Sequence, residues 1–107
     1  MARKVIWSHE AVKDLQTIAD YIAKDSPFYA SSFVREIRDA GRTLNLFSER
    51  GRIVPEIGKS NTRELFIKEY RLIYRIEELQ VSIVAVVHGA RDLNKLWSDK
   101  GTPSKQI

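Results

Sequence analysis

Tyr70-Arg71-Leu72-Ile73-Tyr74-Arg75-Ile76 and Val81-Ser82-Ile83-Val84-Ala85-Val86-Val87-His88 flank the short polar segment Glu77-Glu78-Leu79-Gln80. Both runs are rich in β-branched, aliphatic and aromatic residues, which suit a pleated, half-buried surface, so they read as two antiparallel strands joined by a turn. Side chains alternate along a strand, and directly opposed residues share a face. With Ile76 opposite Val81, Tyr74 faces Ile83, Leu72 faces Ala85 and Tyr70 faces Val87. This set is wholly apolar or aromatic and is expected to be core, which removes Tyr70 and Tyr74 as catalytic phenols. The other face carries Arg71, Ile73 and Arg75 beside Ser82, Val84, Val86 and His88, so Arg71, Arg75 and His88 are expected together on an uncovered side. Arg63 to Ile67 supplies a third strand through the Lys68-Glu69 turn. Its register adds Glu64 and Phe66 to the arginine face and sends Leu65 and Ile67 to the core; a one-residue bulge in that turn would exchange Glu64 and Arg63.

Upstream, the hydrophobic period changes from two to that of a helix. Arg3 to Trp7 reads as a short strand, and Ser8 is placed to cap a helix over Ser8 to Ala23 with apolar positions Ala11, Leu15, Ile18 and Ile22. Ser26 and Pro27 signal a second helix, since proline lacks only an N–H that the first helical turn leaves unpaired. Its stripe runs Ala30, Phe33, Ile37, Ala40, Leu44 and Phe47, and Gly41 within it is tolerable if it permits close packing. Ser48 to Thr62 reads as a surface loop in which Arg52-Ile53-Val54 can add a short extended piece. The expected fold is therefore α+β: an N-terminal strand, an antiparallel two-helix hairpin on one face, and an antiparallel sheet completed by a C-terminal three-strand meander. Residues 1–93 form the single expected domain. Residues 94–107 read as a partly disordered tail with Leu96 and Trp97, beside Leu93, as anchors.

Composition narrows the function. The chain has 107 residues, 43% of them apolar, which is enough for one modest core. Eighteen Lys and Arg against 14 Asp and Glu give a net charge of +4, suited to an acidic or polyanionic partner. Without cysteine there is no disulfide, thiol nucleophile or thiolate metal site. The three apolar residues Val5 to Trp7 are too few for a signal peptide or a membrane span, so the cytoplasm is the expected address and no membrane is expected as partner. No glycine-rich phosphate loop, metal-spaced histidine pair or serine elbow is present, so neither a metal nor a cofactor is expected. An arginine in a strand ordinarily snorkels or pairs with a carboxylate, and a histidine at a strand end is ordinarily a polar terminator. What sets these residues apart is their grouping, with Arg91 following Gly89 and Ala90 at the rim.

The element order resembles the RelE/ParE toxin superfamily. So do Asp14-Leu15 through Tyr21-Ile22, Ser26-Pro27, Gly51-Arg52-Ile53-Val54-Pro55-Glu56, Arg63-Glu64-Leu65, Tyr70-Arg71-Leu72-Ile73-Tyr74-Arg75 and Val87-His88-Gly89-Ala90-Arg91-Asp92-Leu93. The resemblance implies the toxin of a type II toxin-antitoxin system, which inhibits growth, stabilises plasmids, and is neutralised by a cognate antitoxin whose disordered acidic segment orders on binding. It implies two kinds of target. RelE-like toxins cut ribosome-bound mRNA without metal, and for them Arg71 and Arg91 match arginines that contact the scissile phosphate; His88 or Glu64 would be the base. ParE-like toxins poison DNA gyrase and need no complete catalytic set. Trp97 stands where the RelE pattern has an acidic tyrosine, and the lysine run ahead of the central arginine is missing, so the ParE branch is preferred, with mRNA cleavage as the alternative. The anion- and antitoxin-binding face expected in either case is Glu64, Phe66, Arg71, Arg75 and His88.

Overall fold

The computed structural model describes residues 2–91 together with 93 and 94. Leu96 and Trp97, expected as anchors, lie outside the described residues. In chain order the elements are β1 (Lys4–Trp7), α1 (His9–Ala23), α2 (Pro27–Thr43), β2 (Arg52–Ile53), β3 (Thr62–Ile67), β4 (Tyr70–Ile76) and β5 (Gln80–His88). The five strands form one sheet in the order β1-β5-β4-β3-β2. β1 runs parallel to β5 while the other neighbours are antiparallel, so the sheet is mixed rather than wholly antiparallel. The helix pair between β1 and the meander supplies the long crossover that a parallel pairing needs.

Both helix starts follow their capping chemistry. Ser8 Oγ accepts from the Ala11 N–H at 3.0 Å and Ser26 Oγ from the Tyr29 N–H at 3.2 Å, with Pro27 at the first helical position. α2 ends earlier than its apolar stripe suggests. The amides of Leu44, Asn45 and Leu46 bond three residues back, to Gly41, Arg42 and Thr43, and this tightened turn buries Leu44 but leaves Phe47 exposed. The hairpin packs Ala11, Leu15, Phe33, Ile37 and Leu44 onto Leu65, Leu72, Tyr74, Val81, Ile83 and Val86. Gly41 is where α2 comes closest to the sheet: a Cβ there would stand 3.2 Å from Ile83 Cδ1 and 3.3 Å from Trp7 Cζ2.

The β4–β5 register departs from the regular alternation. Ile76 pairs with Val81 and Tyr74 with Ile83 as expected, but Ile73 pairs with Ala85, Leu72 with Val86, Arg71 with Val87 and Tyr70 with His88. Val84 is the extra residue of a β-bulge, and beyond it every β5 side chain changes face. Val86 enters the helical core in place of Ala85. Ala85 and Val87 instead join Ile73, Val54 and Leu93 in a second apolar cluster on the far side of the sheet. That side is therefore partly covered, not open. α1 holds the bulge: Ser8 Oγ donates to the Val84 carbonyl at 3.4 Å and Asp14 Oδ2 accepts from the Val86 N–H at 3.1 Å.

The segment after α2 is also more built than a surface loop. Tyr74, fully buried, donates to the Ser48 carbonyl at 2.7 Å and accepts from the Gly51 N–H at 2.9 Å, which leads the chain into β2 along β3. A Cβ on Gly51 would fall 2.6 Å from both the Glu64 carbonyl and the Tyr74 hydroxyl. Asp14→Ala removes the carboxylate acceptor of the Val86 N–H and is expected to destabilise the chain by about 1–3 kcal/mol in urea unfolding. Gly51→Ala is expected to cost at least as much, since its clashes are with backbone and a buried ring.

Candidate functional site

β3 and β4 bring Glu64, Phe66 and Arg71 to one face, because Glu64 pairs with Ile73 and Phe66 with Arg71 across a tight turn whose Lys68 has φ 54°. The short strand β2 adds Arg52 opposite Glu64, and the turn after it adds Glu56. These side chains form one ion cluster. Arg71 donates through Nη1 to Glu64 Oε1 and Glu56 Oε1, both at 3.1 Å, and through Nε to the Gly89 carbonyl at 3.0 Å. Arg52 Nε donates to Glu64 Oε2 at 2.6 Å. The Phe66 ring lies under both guanidinium groups, 5.0 Å from that of Arg52 and 5.8 Å from that of Arg71. Gly89 lets this ring sit close, since a Cβ there would stand 3.0 Å from Phe66 Cε2.

Burial decides what this cluster does. Glu64 is 1% exposed and Arg71 7% exposed, whereas Arg52 and Phe66 reach solvent. Burial works against the charge on Glu56 and on Arg71. Even so, the hydrogen bond and charge of Arg71 hold the Glu56 carboxyl below its ordinary value, and Glu56 and Glu64 hold the Arg71 guanidinium above its own. Arg71 is thus a charged group already matched by two carboxylates, not one waiting for an anion.

The other expected site residues are not gathered around it. Arg75 shares the Arg71 face but lies four residues along β4, about 13 Å away at some 3.3 Å per residue. Its Nε donates to Glu77 Oε2 at 2.9 Å, and the Ser82 hydroxyl donates to the same oxygen. His88 is on the opposite side of the sheet from Arg71, contrary to the regular register, because the Val84 bulge turns it towards Tyr70. Its ring meets that of Tyr70 edge-on at 5.4 Å, and Tyr70 packs on Phe33 of α2 at 5.0 Å. His88 Nδ1 accepts from the Ala90 N–H at 3.2 Å, which leaves Nε2 as the exposed nitrogen. Arg91 is exposed at the rim, its backbone N–H bound to the His88 carbonyl. Among the described residues no group of three or more His, Asp or Glu is arranged to hold a metal ion, and no helix is long and apolar enough to cross a membrane.

Two sets of residues were not assigned a role from sequence. Arg52 and Glu56 lie in an irregular stretch where no period predicts side-chain direction. Arg35, Arg38 and Arg42 were readable, because their spacing of three and four places them on one face of α2. They line an open groove of about 560 Å³ between the two helices.

The protein-family model described as the ParE toxin of the type II toxin-antitoxin system parDE matches residues 5–93. Toxin RelE2 of Caulobacter vibrioides is 33% identical over 89 residues, covering 82% of this chain and 97% of that protein. A chromosomal ParDE system from P. aeruginosa superposes with a TM-score of 0.68 at 20% identity, covering 81% of this chain and 96% of its own. The RelBE2 toxin-antitoxin complex of Mycobacterium tuberculosis superposes with a TM-score of 0.56 at 23% identity, covering 82% and 99%.

Two outcomes are expected at the ion cluster. Glu64→Ala leaves two guanidinium groups with Glu56 alone and should destabilise the chain by about 3–5 kcal/mol in urea unfolding, as for a broken buried pair. Ionised Glu56 stabilises the fold above its ordinary value of 4.5, and this contribution is lost as pH falls through the lower folded value. The stability difference between the wild-type chain and Glu56→Gln should therefore be largest at neutral pH and shrink towards zero in acid.

Proposed function

The chain belongs to the ParE toxin family, within the RelE/ParE superfamily of type II toxin-antitoxin toxins, and from that premise we propose that it arrests growth by poisoning DNA gyrase and is neutralised by a cognate antitoxin. The observation that carries the choice of target is the state of Arg71. Metal-free RNA cleavage needs cationic donors aimed at the phosphate and a nearby acid or base. Here Glu56 and Glu64 engage the central guanidinium, and the sheet separates it from His88. Poisoning a partner enzyme needs a complementary surface instead, and that requirement is compatible with a sealed ion cluster. DNA gyrase acts in the cytoplasm, which is the proposed place of action. The solved ParDE and RelBE2 assemblies pair their toxins with antitoxins, and this supports the antitoxin as partner.

A second reading is ribosome-dependent mRNA cleavage. Exposed His88 and Arg91 at one end of the sheet favour it, as does the name of the RelE2 relative. It requires Glu56 to leave Arg71, or the chemistry to proceed at the rim without Arg71.

Purified chain added to gyrase and supercoiled DNA is expected to raise linear, double-strand-cut DNA well above the level with gyrase alone. Induced cells should show the DNA-damage response. Ribosome-dependent mRNA cuts with no DNA breaks would reverse the assignment, and unimpaired growth at good soluble expression would remove the toxin reading altogether.

A further inference from the structure

The sheet ends on two edges, and they are not alike. β2 is only two residues long and is soon followed by Pro55, which has no N–H to offer. β1 is the longer edge, and the hydrogen bonds around it show which of its backbone groups face outward. The Lys4 N–H donates to the Leu79 carbonyl and the Ser8 N–H to the Ile83 carbonyl, so the even-numbered residues bond to β5. Odd-numbered residues point the other way, and the outward Arg3 N–H is taken by the Asn45 carbonyl at 2.8 Å. By the same alternation Val5 and Trp7 present their N–H and C=O groups at the open edge, where no strand pairs with them among the described residues.

The length of this edge selects its occupant. Asn45 closes it at Arg3, and α1 closes it after Ser8, which leaves room for a strand with two outward-bonding residues. β1 of a second copy is such a strand. A two-fold axis perpendicular to the sheet beside Ile6 sets Val5 opposite Trp7 of the second copy, and Trp7 opposite its Val5, each pair exchanging both N–H···O bonds. Ile6, 38% exposed on the far face, then meets its own symmetry mate in the intervening position, where side chains approach most closely.

The two ends of the edge also match. Lys4 and Glu10 are exposed and have no ion partner among the described residues. Antiparallel pairing carries Arg3 and Lys4 of one copy towards the first turn of α1, with its Glu10, in the other. Leu46 and Phe47, exposed next to Asn45, are carried towards Val12, which is exposed one turn past Ser8.

We propose that the chain forms a two-fold symmetric homodimer by antiparallel pairing of β1 with β1 of a second copy. The two five-stranded sheets then run on as one, with both helical hairpins on the same side. β5 and β4 separate the ion cluster around Arg71 from the axis, so the interface leaves that cluster clear.

The interface is small, so association is followed over protein concentrations from about 1 µM to about 1 mM. Sedimentation equilibrium of the purified full chain is expected to move from 12.4 kDa to twice that mass across this range. In hydrogen exchange the Val5 and Trp7 amides should gain protection with concentration, while those of Lys4 and Ser8, already bonded to β5, should not change. Ile6→Lys sets like charges opposite each other across the axis and should weaken the dimer at least about tenfold. Because the sequence has no cysteine, Ile6→Cys introduces a single thiol per copy, and Cα atoms about 4.5 Å apart at such a position suit a disulfide. Mild oxidation should cross-link it far faster than Lys59→Cys, whose thiol is on an exposed loop. All three substitutions are at exposed positions, and unchanged melting curves verify the folds. A monomer at every concentration would overturn the inference. So would a dimer whose Val5 and Trp7 amides stay unprotected, a dimer indifferent to Ile6→Lys, or equal cross-linking by Lys59→Cys.

Discussion

The extra residue at Val84 is the constraint on which the rest of the structure depends. A regular β5 would send Ala85 and Val87 towards the helices and Val86 away from them. With the bulge, Val86 fills the helical core opposite Leu72, and Ala85 and Val87 become available to a second cluster with Ile73, Val54 and Leu93. One strand thereby serves two apolar layers, changing sides partway along its length. The bulge interrupts the ladder, and α1 supplies the partners that this interruption calls for, through Ser8 and Asp14. The helix cap, the helix position and the strand register are therefore coupled: α1 cannot shift without releasing the turn of β5 that aims His88.

The second cluster in turn explains why Arg71 is buried. Once Val54 and Leu93 cover the middle of the far face, the neighbouring polar side chains lose water and must find partners within the protein. Glu64 sits at the centre with one guanidinium on each carboxylate oxygen, and Glu56 balances the second positive charge, so two cations meet two anions. Among the described residues no buried side-chain nitrogen or oxygen is left without a hydrogen bond. The segment leading into β2 is held by the same economy of contacts: Tyr74 joins Ser48 to Gly51, Arg63 reaches the carbonyls of Glu49, Gly51 and Ser60, and Arg3 ties Ser48 to the β4–β5 turn. A stretch rich in glycine and polar residues thus becomes a fixed strap through side chains that come from the sheet.

Much of this was legible where the signal is local. Ser8 and Ser26-Pro27 mark the helix starts by chemistry confined to one turn, and the β3–β4 register follows from a tight turn between two alternating runs. The bulge was not legible, and the reason is specific. Val84-Ala85-Val86-Val87 is apolar at every position, so either parity buries an acceptable side chain, and the pattern that normally fixes register is silent. What selects the parity is Asp14, 72 positions away from the amide it holds. His88 inherits the error because it lies beyond the ambiguous run, whereas Glu64, Phe66 and Arg71 precede it and share a face as read. Glu56 escaped because its partner can be chosen only once the strap has been folded over the sheet.

The same geometry changes what the positive charge means. A net +4 with arginines on a sheet face suggests a basic site there, but a charge that is paired and buried contributes little field at the surface. The cations that a partner would sense are exposed ones without a carboxylate partner among the described residues, such as Arg35 and Arg38 on α2, Lys59 in the strap and Arg91 at the rim. Arginines in β4 pair with carboxylates brought by β3, the strap and the β4–β5 turn; arginines on the convex side of a two-helix hairpin have no layer above them to supply such partners. In this chain Arg71 and Arg75 of β4 maintain the architecture through their carboxylate partners, and the exposed positive charge lies apart from them.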